Sequence, residues 1–275
     1  MLNKIKNKVN VFKEPLANIH FKEVLKGGII SFGVKIFTLS LGFFTTWFLS
    51  SHYGAGTIGQ LALLDSAVSM ITIFTVLGMN NSLVKLVPEH IAKYSFYSAA
   101  LTYKKMFIFV SLTSISAALI YFLLHREIAG TIFHKSNLEW LFLLVSPLIF
   151  IRSLQSLNMA LIQALKKIYL ITFFQLAQPV LFAGLVVLGT YMYVDKMLPI
   201  HVQVLIDGLL FLTSLIAIYF IIYKRITPQK YHTVSNKELL SLSLPMMLTG
   251  ILTAILFQTD IIMLGIMKTG MTPIK

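Results

Sequence analysis

Residues 27–89 hold two long apolar runs, GGIISFGVKIFTLSLGFFTTWFL and IGQLALLDSAVSMITIFTVLGM, separated by the turn SSHYGAGT. Each run has the ~20 residues that cross a ~30 Å hydrocarbon core as a helix. The turn carries two glycines and no Lys or Arg. The pair therefore reads as a transmembrane hairpin with a short outer loop. The rest of the chain repeats this plan, and the apolar runs predict seven spans at 28–50, 57–84, 106–124, 138–165, 168–191, 200–223 and 242–267.

Composition agrees. The chain is 57% hydrophobic and 12% charged, with a mean hydropathy of +0.82, and a soluble domain carries about twice that charged fraction. The fold class is all-α, a polytopic membrane protein. Net charge is +13, and where the charges fall decides what it means. With the N-terminus inside, the inner segments 1–27, 85–105, 166–167 and 224–241 hold 16 Lys and Arg, against 5 in the outer segments. That split is the positive-inside signal of a multi-pass protein in a cytoplasmic membrane. It explains the basic balance without nucleic acid. Segment 1–27 carries six lysines and is too long and too basic for a cleaved signal. It reads equally as a helix lying on anionic head groups or as a disordered basic arm.

Catalytic chemistry has little to work with. There is no cysteine, so disulfides and thiolate metal sites are excluded. HExxH, GxxxxGK[ST] and GxSxG are missing. The histidines are scattered in or near loops, and the largest loops run to about 20 residues. No catalytic residue, cofactor or metal is expected, and the chain is not expected to be an enzyme.

The polar residues inside the spans fall on stripes at helical spacing. The first span has Ser31, Lys35, Thr38, Gly42 and Thr45, and the second has Asp65, Ser69 and Thr72. The fourth has Arg152, Gln155, Ser156 and Gln163, and the fifth has Thr172, Gln175 and Gln178. The sixth has Gln203, Asp207 and Ser214, and the last has Pro245, Thr249, Thr253 and Asp260. Hydroxyls and small residues alone fit close helix packing, where cross-helix hydrogen bonds average under ~1 kcal/mol. Charges are different, because each costs ~2.5–3.5 kcal/mol at mid-membrane. Lys35, Asp65, Arg152, Asp207 and Asp260 must face one another or a watery cavity. Lys35 lies near enough to the inner surface to snorkel. Arg152 is the most central, and it is always charged. It serves either a functional cavity or a structural ion pair with Asp65, Asp207 or Asp260.

The run YGAGTIGQLALLDSAVSMITIFTVLGMNNSLVKLVPEH, with its Tyr53-Gly54 turn, Gly59, the Leu77-Gly78-Met79 exit and Val84-Lys85 to Glu89, resembles the first two helices of polysaccharide flippases. These belong to the multidrug/oligosaccharidyl-lipid/polysaccharide exporter superfamily. LLSLSLPMMLTGILTAILFQTDIIMLG, with Pro245, Asp260 and Gly265, is similar to that family's seventh helix. The resemblance implies two six-helix lobes around a central cavity of alternating access. The implied cargo is a lipid-linked anionic saccharide, moved across the bacterial inner membrane. On it, Lys35 and Arg152 would contact the anionic substrate together with Gln155 and Gln175, and Asp65, Asp207 and Asp260 would balance them or couple a cation gradient. The implied domains are a basic N-terminal segment 1–27, a six-helix lobe 28–223, a cytoplasmic loop 224–241, and the first helix of a second lobe at 242–275. The family pattern continues beyond this length. The expectation is a truncated reading frame, a fragment, or half of a split transporter completed by a second chain. The rival readings are a drug or metabolite exporter of the same superfamily and a non-transporting membrane subunit of a polysaccharide assembly complex.

Overall fold

A computed structural model describes residues 19–133, 138–192, 195–223 and 233–266, with side chains from residue 28 onward except those of 31, 132 and 265. Most of the lysine-rich segment 1–27, the centre of the loop 224–241, and the chain beyond 266 lie outside these. The described residues are almost all helical, with no strand among them.

The first helical run, Ile19–Val76, has 58 residues and breaks at Gly54 (φ 79°, ψ 169°). This conformation is open essentially to glycine alone. Its apolar part, Gly28–Val76, spans 49 residues; as one straight helix that would be ~73 Å long, over twice the ~30 Å core. Gly54 divides it into α1 (19–53) and α2 (55–76). Packing gives their directions. Phe48 and Leu49 meet Val186, and Tyr53 hydrogen-bonds Thr190 at 2.7 Å, so α1 runs parallel to α6 (Ile168–Met192). Leu64 and Val68 share a cluster with Phe142 and Val145, and further along Thr75 bonds Ser153 at 2.6 Å, so α2 runs parallel to α5 (Glu139–Ala164). α5 and α6 are joined through Lys166, a reversal at φ 54°. The hairpin expected around Gly54 is present. Residues 19–26 are helical and continuous with α1, and the rest of the segment expected as a surface helix or an arm lies outside the described residues.

The second span departs from expectation. It ends at Val76 rather than residue 84, because Leu77 (φ 53°) and Gly78 (φ 69°) both take left-handed backbone. A separate helix, α3 (Met79–Lys93), follows. It buries Met79, Leu83, Leu86, Val87 and His90 and carries a Glu89–Lys93 ion pair at 2.7 Å on its outer face. The Lys93 ammonium there holds the Glu89 carboxyl below its ordinary range. The third span, α4 (Phe96–Glu127), begins ten residues before its expected start at 106. Ser95 caps it, its hydroxyl accepting from the Ser98 N–H at 3.2 Å. A π-helical turn, Ile128–Ile132, ends it. α7 is Leu198–Tyr223. α8 is Asn236–Ile266, starting six residues earlier than the expected 242 and shortening the loop 224–241 accordingly.

Two apolar clusters form the core. One joins the basic ends of α2, α4, α5 and α6 to α3, with Val76, Met79, Met106 and Leu157 among its members. The other lies toward the opposite side, around Leu64, Val68, Phe142, Val145 and Ile149. α5 belongs to both and is the central post of the bundle. Cross-helix hydrogen bonds stitch around it: the Tyr103 hydroxyl donates to Asn158 Oδ1 at 2.7 Å, and the Asn158 amide donates to Ser214 at 2.8 Å. Outward, α1 and α4 present Phe32, Phe43, Trp47, Leu112, Leu119 and Leu123, as lipid-facing helices should.

α8 lies on this bundle at Gly78. A Cβ there would sit 2.4 Å from the Ser243 carbonyl oxygen and 2.6 Å from the Met247 nitrogen. Neither is a side chain that can swing away. Gly78→Ala is expected to cost more than ~2 kcal/mol, from left-handed strain plus overlap. Gly54→Ala meets open space and should cost only the backbone strain. Denaturation midpoints of the two variants in detergent would reverse that order if α8 were not seated as described.

Candidate functional site

Between the two apolar clusters α5 carries Arg152. Twelve residues separate it from Ala164 and thirteen from Glu139, so it sits at the middle of the span. A guanidinium there needs partners, and it has two. Its Nε donates to Asp207 Oδ2 at 2.9 Å, and Nη2 lies 2.8 Å from the same oxygen. Its Nη1 donates to Asp65 Oδ1. Asp207 comes from α7 and Asp65 from the middle of α2, so the triad ties three helices together. Gln203, one turn before Asp207, donates its amide to Asp207 Oδ2 at 3.4 Å.

The members differ in environment. The Asp207 side chain is 3% exposed, Arg152 15% and Asp65 56%. One cation therefore serves a buried carboxylate and an open one. The formal charge of the cluster is −1, and the surplus lies on the Asp65 side. Nε and Nη1 thus each donate to a carboxylate, while Nη2, although close to Asp207 Oδ2, is buried without a directed hydrogen bond.

The other candidate residues lie elsewhere. Lys35 is exposed on α1, without an ion-pair partner among the described residues. Asp260 is exposed on α8 and is not part of the triad. Gln155, half-buried one turn from Arg152, and Gln175, exposed on α6, make no side-chain hydrogen bond to it. Gln203 was marked in the sequence only by its i−4 spacing from Asp207, which on a helix stacks the two side chains. Among the described residues no three His, Asp or Glu side chains converge as metal ligands would.

Asp65 opens a polar stripe on α2 that continues through Ser69 and Thr72. Alongside it Ser66 donates to Gln258 Oε1 of α8 at 2.7 Å. The site thus extends from the triad into the seam between α2 and α8.

The sequence model of a family described as polysaccharide biosynthesis protein matches residues 24–271. No curated protein and no solved structure matches the chain. A match that takes in every described span but for the first turns of α1, on a chain folded as a multi-pass helical bundle, places this protein in the polysaccharide biosynthesis protein family.

Proposed function

We propose that the protein is a flippase, a transporter and not an enzyme, moving a lipid-linked saccharide across the bacterial cytoplasmic membrane with its N-terminus on the cytoplasmic side. The observation that carries this reading is the open carboxylate of Asp65 at mid-span. Facing lipid, that group would cost several kcal/mol. Facing a water-filled cavity, it costs little. A scaffold has no need of such a cavity, and a transporter cannot work without one. The family match supplies the saccharide.

The geometry supports the following roles for the charged residues. Arg152 is the clamp that holds Asp207 and Asp65. Meeting a diphosphate then falls to Lys35, whose ammonium is unpaired among the described residues. Asp65, carrying the surplus charge, is the place for a coupling cation. That same surplus favours a second reading, an exporter of lipophilic cations.

Reconstituted vesicles separate the two. A fluorescent polyprenyl-diphosphate-linked oligosaccharide, placed in one leaflet, is expected to become accessible to a lectin on the other side only when the protein is present. No translocation of that probe, with uptake of a lipophilic cation instead, would overturn the flippase reading in favour of the second.

A further inference from the structure

The start of α4 lies beside the end of α7, and the two helices meet at one residue of α5. Asn158 accepts from the Tyr103 hydroxyl of α4 and donates its amide to Ser214 of α7. Otherwise α4 and α7 scarcely touch each other. Between them, at the lysine-rich end of the bundle, runs a groove of about 540 Å³. Its walls are apolar, with Phe107 of α4 and Leu215 and Ile218 of α7 along its length. Tyr97, Lys104 and Tyr219 also line it, and no residue of α2 or α8 does.

Lys104 is the one charged residue in that lining. It is exposed, and it has no ion pair among the described residues. Its neighbour Lys105 is differently placed, donating to the Val234 carbonyl. One lysine of the pair thus holds the chain to itself, and the other is left beside an apolar groove. A lysine in the first turns of a membrane helix lays its stem on apolar surface and turns its ammonium toward the head groups. Tyrosines gather at that same level. An occupant must therefore be hydrocarbon along Phe107 and anionic at Lys104. A partner helix of apolar residues would fill the groove but leave the ammonium uncompensated. A phospholipid meets both demands with one molecule.

We propose that the groove between α4 and α7 holds an anionic phospholipid, its phosphate on Lys104 and an acyl chain along Phe107, Leu215 and Ile218. On the orientation proposed above, the lipid belongs to the cytoplasmic leaflet. It braces two helices that share little besides Asn158. It is a resident of the fold and not the cargo.

Quenching of tryptophan by brominated lipids tests this. Trp47 and Trp140 are replaced by Phe, and one tryptophan is returned by Phe107→Trp in the groove or by Ile108→Trp. Ile108 is the next residue of α4, 49% exposed and outside the groove lining. The proteins are placed in phosphatidylcholine vesicles with rising fractions of brominated phosphatidylglycerol or brominated phosphatidylcholine. At Phe107→Trp the phosphatidylglycerol is expected to bind about five-fold more tightly, the worth of one lysine at an anionic head group. At Ile108→Trp the two lipids should bind equally. Lys104→Gln should remove the preference, and Lys167→Gln, at the turn between α5 and α6, should leave it. The same preference at both tryptophans, or one that survives Lys104→Gln, would overturn the proposal. So would loss of the preference on adding an equimolar polyprenyl-diphosphate disaccharide, which would give the groove to the cargo instead. A second measurement keeps the native groove. The unfolding temperature of the parent in detergent should rise more with phosphatidylglycerol than with phosphatidylcholine, and Lys104→Gln should lose that difference. No difference in the parent would overturn the bracing role. Neither measurement reads translocation, so failure here leaves the transport reading standing.

Discussion

Arg152→Ala is expected to be the most destabilising substitution among the charged residues of the bundle, at about 3–5 kcal/mol. The guanidinium lies in a plane between two apolar clusters, and its loss would leave Asp207, 3% exposed, as an uncompensated carboxylate. The pair itself need not contribute much net stability, because taking both charges from water is costly. What is costly is half a pair. The double change Arg152→Met with Asp207→Leu should therefore recover most of the loss, and Asp207→Leu alone should destabilise by stranding the cation, though less, since Asp65 remains beside it. Thermal unfolding in detergent of the double variant beside Arg152→Met and Asp207→Leu alone reads the coupling directly. Additive effects would mean that Arg152 and Asp207 do not hold one another.

Asp65→Asn is expected to do the opposite: leave the fold and stop the work. Its carboxylate is 56% exposed, and an ion pair that open is worth under ~1 kcal/mol. The bundle should melt within that margin of the parent. The substitution removes the surplus charge, leaving Arg152 and Asp207 neutral as a pair. If a cation pauses there during transport, the translocation rate should fall by about ten-fold or more, the equivalent of ~1.4 kcal/mol, and should lose its dependence on the cation gradient. Unchanged translocation by a well-folded Asp65→Asn protein would confine Asp65 to balancing charge.

Much of this fold could be read from the order of residues alone. α5, α6 and α7 were legible because long apolar runs bounded by Lys166, Lys167 and Asp195 leave little choice of ends. The start of α4 was not. Lys104 and Lys105 look like a loop, but Lys105 sends its ammonium to the Val234 carbonyl while Tyr103 and Met106 go inward. α3 was hidden because LGMNNSLVKLV continues the apolar character of α2. Its break includes a left-handed leucine, a conformation no leucine announces. At the site, helical spacing gave each charge a depth and a stripe. It could not give the rotation of one helix against another. Asp65, Asp207 and Asp260 were therefore equal candidates for Arg152, and only packing placed the first two beside it and left the third on an open face.

The close approach of α8 to Gly78 makes the genetics of that joint one-sided. Ser243 and Met247 meet Gly78 through carbonyl and amide atoms, which every amino acid except proline carries alike. A mutational scan should find α8 permissive at Met247 and residue 78 nearly closed, while Ser243 is held for a separate reason, its buried hydroxyl donating to Ser82 at 2.9 Å. Fit at this joint is carried by the path of the chain on one side and by a missing atom on the other.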